Sequence, residues 1–436
     1  MWASRLRSTT SLRLPRHTTA NHDTTPGPPH LTGAGVRSFT LVTMTDPLIT
    51  FAWIAAAGLL APVLSFATSK KVPAVVFLII LGVLIGPFGL ELTTDSEAID
   101  LVRELGLGML FLLAGMELAP SDLKGKEGRN AILTWIICAL LAFGATMALT
   151  GGETGTATVL AIALTSTALG TLLPIIRQQG LSGTPVGNSV MIHGAVGELA
   201  PVMAMALLLS ARTTWATAVI LVIFFAVALV IALLPRTVRR VVPWVGWAIR
   251  DGVGSTNQTV VRTIVVMLAA LMAVASIFEL DVVLGAFAGG IIVRQIVPDS
   301  ALPDLTEKLE VLGYGLFIPA FFVTSGMGID SGVIGDRPWF LLGLIPVILI
   351  ARGLPVLLRE LGGHTGSSLQ GWREKLQLSL YAATGLPIIV AVTEVATSSG
   401  LLAEEEASLL VAAGALTVAV FPMVADAVGP TKRAVH

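Results

Sequence analysis

The chain has 436 residues, 54% hydrophobic and 13% charged, with a formal net charge of −1 and a mean hydropathy of +0.84. A soluble domain carries about 25% charged residues, so this composition excludes a water-soluble globular protein and specifies a polytopic membrane protein. The balanced charge gives no basis for a nucleic-acid partner, and the single cysteine, Cys138, rules out a disulfide framework or a cysteine metal cluster.

Residues 1–43 differ from the rest of the chain. They hold Arg5, Arg7, Arg13, Arg16 and Arg37, many Ser and Thr, and one acid, Asp23. In composition this segment is like a transit peptide; the competing reading is a chain that starts at Met44. Either way residues 1–47 are expected to form a disordered arm, followed by a single transmembrane domain over 48–430 and a short cytoplasmic tail, 431–436.

About 20 apolar residues cross a bilayer. On that rule the chain is expected to be all-α with 13 spans, near 48–67, 72–90, 102–119, 130–150, 156–177, 185–210, 214–235, 258–278, 280–297, 308–328, 338–358, 376–398 and 406–427. The positive charge alternates from loop to loop. One side collects Lys70, Lys71, Lys124, Lys126, Arg129, Arg177, Arg236, Arg239, Arg240, Arg250, Arg294, Lys308, Arg359, Arg373, Lys375, Lys432 and Arg433. The other holds Arg103, Arg212 and Arg337, with Glu404-Glu405-Glu406. The positive-inside rule then places the N-terminus outside and the C-terminus in the cytoplasm of a cell-membrane protein. An Arg-rich arm outside would break this pattern, which favours Met44 as the start. Trp244, Trp247 and Trp339 fit an aromatic belt.

Two pairs of segments repeat. Leu105-Gly-Leu-Gly-Met-Leu-Phe-Leu-Leu-Ala-Gly-Met-Glu-Leu118 matches Leu312-Gly-Tyr-Gly-Leu-Phe-Ile-Pro-Ala-Phe-Phe-Val-Thr-Ser-Gly-Met-Gly-Ile329, with Gly115 and Gly326 211 residues apart. Thr165-Ser-Thr-Ala-Leu-Gly-Thr-Leu-Leu-Pro174 matches Tyr381-Ala-Ala-Thr-Gly-Leu-Pro387, with the prolines 213 residues apart. In this topology each pair runs in opposite directions. That gives inverted repeats, about 72–210 and 280–427, with a site at their interface. Pro174 and Pro387 lack an N–H, so the carbonyls of Gly170 and Ala383 lose their helical donors. Gly170 and Gly385 weaken the same helices. Two broken helices would present carbonyls at mid-membrane, and Thr165, Ser166, Thr167 and Thr384 would add hydroxyl oxygens, unless those hydroxyls simply bond back to their own helices.

Glu198 lies within the apolar stretch Met191-Ile-His-Gly-Ala-Val-Gly-Glu-Leu-Ala-Pro-Val-Met-Ala-Met-Ala-Leu-Leu-Leu209. A carboxylate at mid-membrane costs about 2.5–3.5 kcal/mol on insertion scales. It is retained when protonated, paired or bound to a cation, and a group that does these in turn is an exchange site. Arg352 either balances such an acid or snorkels outward. His193 is either a packing residue or an accessory proton carrier, and Glu394 either lines an outer funnel or reaches the headgroups. Glu117, Asp122 and Arg262 are expected at the interface, and Glu279 and Asp281 at an external turn.

The segments Glu104-Leu-Gly-Leu-Gly-Met-Leu-Phe-Leu-Leu-Ala-Gly-Met-Glu-Leu118, Thr165-Ser-Thr-Ala-Leu-Gly170, Val283-Leu-Gly-Ala-Phe-Ala-Gly-Gly290 and Phe321-Phe-Val-Thr-Ser-Gly-Met-Gly328 resemble, in order and spacing, the monovalent cation:proton antiporter-2 family of bacterial sodium/proton and potassium/proton exchangers. The likeness covers residues of about 50 to 427. It implies an alternating-access antiporter with a dimerisation scaffold and a mobile six-helix core, crossed broken helices at the fifth and twelfth spans, and Glu198 as the ion-binding carboxylate. Lipid, protons and sodium or potassium ions are the implied partners, in a homodimer without a cofactor or metal. Family members usually carry Asp at this position, preceded by Asp, Asn or Gln; here the pair is Gly197-Glu198. A nucleotide-binding domain, which some potassium-efflux members have, is not expected. The competing function is a channel-like or regulatory membrane protein of the same fold, which Gly197 favours. An enzyme is not supported, since the chain has no HExxH and no Ser/His pairing.

Overall fold

A computed structural model describes residues 47–68, 72–117, 125–208, 258–277 and 282–429. The helices among them are α1 Pro47–Ala67, α2 Ala74–Ile85, α3 Glu97–Glu117, α4 Lys126–Leu149, α5 Thr154–Thr165, α6 Leu169–Gln178 and α7 Pro185–Leu208, followed by α8 Thr259–Ile277 and α9 Val282–Ile296. The remainder are α10 Leu302–Met327, α11 Pro338–Leu361, α12 Trp372–Ala382, α13 Leu386–Ser398 and α14 Glu404–Val428. Eight continuous or broken stretches are long and apolar enough to cross a membrane, and the shorter α2 and α9 are apolar too. The described residues form a multi-pass, all-helical membrane protein.

Twelve of the expected spans fall on these helices. The seventh, near 214–235, lies outside the described residues, as do the 1–43 arm, the basic cluster Arg236–Arg250, Trp244, Trp247, Asp122, Glu279 and Asp281. Two boundaries moved for local reasons. Helix α2 stops at Ile85 because Gly86 precedes Pro87, and a residue before proline is steered away from helical geometry. Helix α3 starts earlier, at Glu97, with Glu97 and Asp100 in its first turn, where the helix dipole favours acids. The Glu404-Glu405-Glu406 run likewise opens α14.

The helices sort into two groups by what they pack against. Helices α1, α2, α3, α8, α9 and α10 pack mainly on one another, and α4 to α7 with α11 to α14 do the same. The links between the groups are fewer, chiefly α2 with α14, α3 with α6 and α9 with α7. Inside a bilayer helices have no hydrophobic drive to associate, so close packing of small residues holds them. The first group shows it twice. Gly82 on α2 lies against Gly326 on α10, and Gly115 on α3 lies against Gly290 on α9; a Cβ at any of the four would overlap the facing backbone.

The two broken spans sit at the centre of the second group. Their apolar windows are 78% and 89% buried, against 22% for α1 and α4. Two unbroken helices carry a wide, π-helical turn: Gly313–Phe317 in α10 and Leu349–Gly353 in α11. Each ends two residues before a proline, Pro319 or Pro355. A proline ring collides with the carbonyl four residues earlier, and the wider turn relieves that collision without ending the helix.

Gly290→Val should therefore force apart α3 and α9. Overpacking of this kind costs about 1–3 kcal/mol, and detergent-solubilised protein should lose several degrees of thermal stability in a tryptophan-fluorescence melt; an unchanged melt would show that the helices can separate freely.

Candidate ion-exchange site

The breaks lie at Ser166–Ala168, between α5 and α6, and at Ala383–Gly385, between α12 and α13. The first lies upstream of Gly170, to which Pro174 points; the second contains Ala383, to which Pro387 points. Pro387 stands in the first turn of α13, where a missing N–H leaves no helical bond unmade. Pro174 is inside α6. The carbonyl it frees, that of Gly170, is not open to an ion: the Tyr314 hydroxyl donates to it at 3.1 Å. The expectation that both prolines expose carbonyls to the ion is thus corrected for Gly170, and the opening is instead made by the extended residues themselves.

The two breaks cross in direct contact. The Ala168 N–H donates to the Thr384 carbonyl at 2.6 Å. The Thr167 hydroxyl donates to the Ala382 carbonyl at 2.5 Å, and that of Ser166 reaches the Gly385 carbonyl at 3.3 Å. Gly385 has no side chain because Ser166 occupies its Cβ position. Every backbone group that a break strips from its helix is costly to leave unpaired in a membrane, and here each break repairs the other.

The hydroxyls divide by partner. Those of Thr165 and Thr384 bond back to their own helices, to the Ala161 carbonyl at 2.7 Å and the Tyr381 carbonyl at 2.7 Å. Ser166 also donates to Ala163, at 2.8 Å. Donating a hydrogen leaves the oxygen's lone pairs facing outward, so all remain cation acceptors in chemical type. Thr167 has one lone pair committed, to Arg352.

Glu198, on α7, is 1% exposed and adjoins the first break: the Thr167 N–H donates to the Gly197 carbonyl at 2.8 Å. The backbone N–H of Leu169, at the positive end of α6, points to the Glu198 carboxylate. Its Oε1 has no hydrogen-bond partner. Gly197 is explained by the same contact. A Cβ there would overlap the Thr167 side chain and come within 2.8 Å of Arg352 Nη2, so the position usually occupied by a second polar ligand is filled by Thr167 and Arg352.

Arg352, in the wide turn of α11, is fully buried and does not snorkel. Its Nε donates to Thr167 Oγ1 at 3.1 Å, its Nη2 to the His193 carbonyl at 3.1 Å, and its Nη1 approaches Cys138 Sγ at 3.8 Å. It makes no ion pair with Glu198. It clamps the break to the helix that carries Glu198. His193, on that helix, has Nε2 3.8 Å from Oε1 of buried Glu360. Glu394 pairs at 3.2 Å with Arg103 on α3, which also holds Asp100 at 2.9 Å.

Three contributors escaped the sequence reading. Glu117 ends α3 with Oε2 buried and unpartnered, close enough to Glu198 for their charges to interact. Glu360 lies just beyond the expected span 338–358 and was not singled out. Tyr314 read as repeat sequence. The signal for it was rarity: the chain has 2 tyrosines, and both act here, Tyr314 on Gly170 and Tyr381 on Gln179. A cavity of about 870 Å³, lined by Ser65, Gly170, Thr171, Gln179, Tyr314 and Asp426 among others, reaches this point between α1, α2, α6, α10 and α14.

A buried acid beside two crossed helix breaks, with no catalytic constellation, defines a secondary transporter of ions. Residues 54–428 match the model of the transmembrane sodium/hydrogen exchangers, and the chain belongs to that family. YjbQ of Bacillus subtilis, named a putative Na+/H+ antiporter, is 25% identical over 320 residues, which are 67% of this chain and 49% of the relative. GerN of Bacillus cereus, named a Na+/H+-K+ antiporter, is 25% identical over 361 residues, 80% of this chain and 88% of the relative. KefC of Escherichia coli, named a glutathione-regulated potassium-efflux protein, is 27% identical over 309 residues, 69% and 48%. The chain thus spans about half the length of YjbQ and KefC. In fold it is similar to the sodium proton antiporter MjNhaP1 of Methanocaldococcus jannaschii, with a TM-score of 0.60 at 16% identity over 87% of this chain and 96% of that one.

Arg352→Ala should cut cation-driven proton movement more than tenfold, and Arg352→Lys nearly as much. One ammonium cannot reproduce a planar fork that spans a hydroxyl, a carbonyl and a sulfur. Near wild-type exchange rates in the lysine variant, measured in everted vesicles, would reduce the role of Arg352 to charge alone.

Proposed function

We propose that the protein exchanges protons for monovalent cations, sodium or potassium, across the cell membrane by alternating access, with Glu198 as the shared binding group. The observation that carries this reading is a fully buried carboxylate whose Oε1 has no protein partner, placed against two helix breaks. A carboxylate so placed needs a proton or a cation to be neutral. Both cannot be held at once. When a cation arrives, the Glu198 proton leaves to water on the side then open, and the oxygens of the break complete the cation's shell. Thr165, Ser166, Thr167 and Thr384 are the hydroxyls within this region. The charge in the core is the same before and after, so the core moves only when loaded. No cofactor takes part; the ions are the substrates.

The cavity beside Gly170 and Tyr314 supports an entry path on the side where α14 ends, which the charge pattern makes cytoplasmic. The Arg103–Glu394 pair supports closure of the opposite side, since it ties α3 in one helix group to α13 in the other. Lipid surrounds the exposed apolar faces, and a homodimer through the first helix group agrees with the scaffold role implied for it. A non-exchanging protein of the same fold has Gly197 as its argument; the fit of Thr167 and Arg352 against that glycine gives it a packing reason as well.

Glu198→Gln should abolish cation-driven proton release in proteoliposomes read with a pH-sensitive dye, for sodium and potassium alike, at unchanged expression. Rates above about a tenth of wild type would remove Glu198 from the reaction. A second outcome tests the closed side. With Cys138 replaced, Arg103→Cys with Glu394→Cys should stop exchange on oxidation and recover it on reduction; exchange that persists through a verified cross-link would show that α3 and α13 do not part.

A further inference from the structure

Five residues before Glu198 on α7, His193 is 2% exposed, and it faces Glu360, 1% exposed, near the end of α11. Their nearest atoms, Nε2 and Oε1, are 3.8 Å apart, too far for a hydrogen bond. Oε1 of Glu360 and Nδ1 of His193 have no hydrogen-bond partner. The other carboxylate oxygen, Oε2, accepts from Thr365 Oγ1 at 2.9 Å and Ser367 Oγ at 2.6 Å. A carboxyl group enclosed at this depth needs either a proton or a compensating positive charge.

The guanidiniums of Arg352 and Arg359 lie close enough to His193 for their charges to oppose a proton on its ring. Glu127 on α4, which accepts from Ser189 Oγ at 2.5 Å, is close enough to add repulsion to Glu360. Arg359 donates to Asn130 Oδ1 at 3.0 Å. Arg352 holds the His193 carbonyl and the first break. Neither guanidinium is ion-paired with Glu360. The imidazole of His193 is the group positioned to neutralise it.

We propose that His193 and Glu360 form a second proton-binding site, distinct from Glu198, which sets the pH range over which the transporter works. The proposal rests on the reading of the protein as an exchanger. A proton taken from water onto Nε2 turns the open 3.8 Å contact into a charge-assisted hydrogen bond to Oε1, which closes to about 2.7–2.9 Å. On release the proton returns to water and the contact reopens. The two helices concerned each carry a second key group: α7 carries Glu198, and α11 carries Arg352 eight residues before Glu360. Closing the contact draws α7 and α11 together beside the Arg352 clamp, so the second proton is felt at the first site.

The test uses the full-length protein with labelled histidine. The chain has 6 histidines, and the spectrum of His193→Gln identifies the His193 signal. In wild type this nitrogen signal should titrate with pH, and Glu360→Gln should move its midpoint by about one pH unit. In proteoliposomes, the pH–rate profiles of His193→Gln and Glu360→Gln should each shift by about half a pH unit or more. The double variant should match the singles, as partners in one unit do. Glu360→Asp, which keeps the charge and the polar surroundings, should preserve a titrating His193 and guards against a folding defect in the glutamine form. An imidazole whose titration ignores Glu360, or variant profiles that superimpose on an active wild type, would overturn the proposal. A wild type that exchanges at no pH would instead overturn the exchange reading, while the histidine titration would still decide the second site.

Discussion

The contact between the two helix breaks governs the rest of this molecule. Interrupting a helix in a membrane strips backbone groups of partners where no water replaces them. Here Thr167 and Ala168 of one break bond to Ala382 and Thr384 of the other. Neither interruption is tolerable alone. The pairing also fixes where the positive end of α6 points, and therefore where a carboxylate can be stabilised without a counter-charge. Glu198 stands at that place.

Arg352 extends the same logic. A guanidinium without exposure is held by a hydroxyl, a carbonyl and a sulfur instead of a carboxylate. Its fork keeps α7, α11 and the first break in register, and loss of the fork geometry releases both contacts at once.

Much of this was legible in the residues. Twelve of the thirteen expected spans and the burial of Glu198 follow from hydropathy and cost, because a bilayer penalises each misplaced polar group heavily. The matching offsets of the two Thr/Gly/Pro segments located the breaks to within a few residues. The opening itself was not readable, because prolines mark where an N–H is missing and not where the chain straightens. Pro387 proved to start a helix, and the carbonyl freed by Pro174 found Tyr314. Glu360 and Glu117 were missed for a related reason. An acid at a helix end is usually at the water interface, and only packing from distant segments, such as the Thr365–Ser367 turn over Glu360, reveals that it is enclosed.

The fit at Gly197 limits how this transporter can change. Adding a second acid beside Glu198 would alter the number of protons carried per cation, the simplest route to a different electrical stoichiometry. Any side chain at 197 meets Thr167 and Arg352 before it meets an ion. A smaller residue at 167 would unfasten the crossing, and a shorter one at 352 would release both the break and α7. The route therefore runs through at least two damaged intermediates.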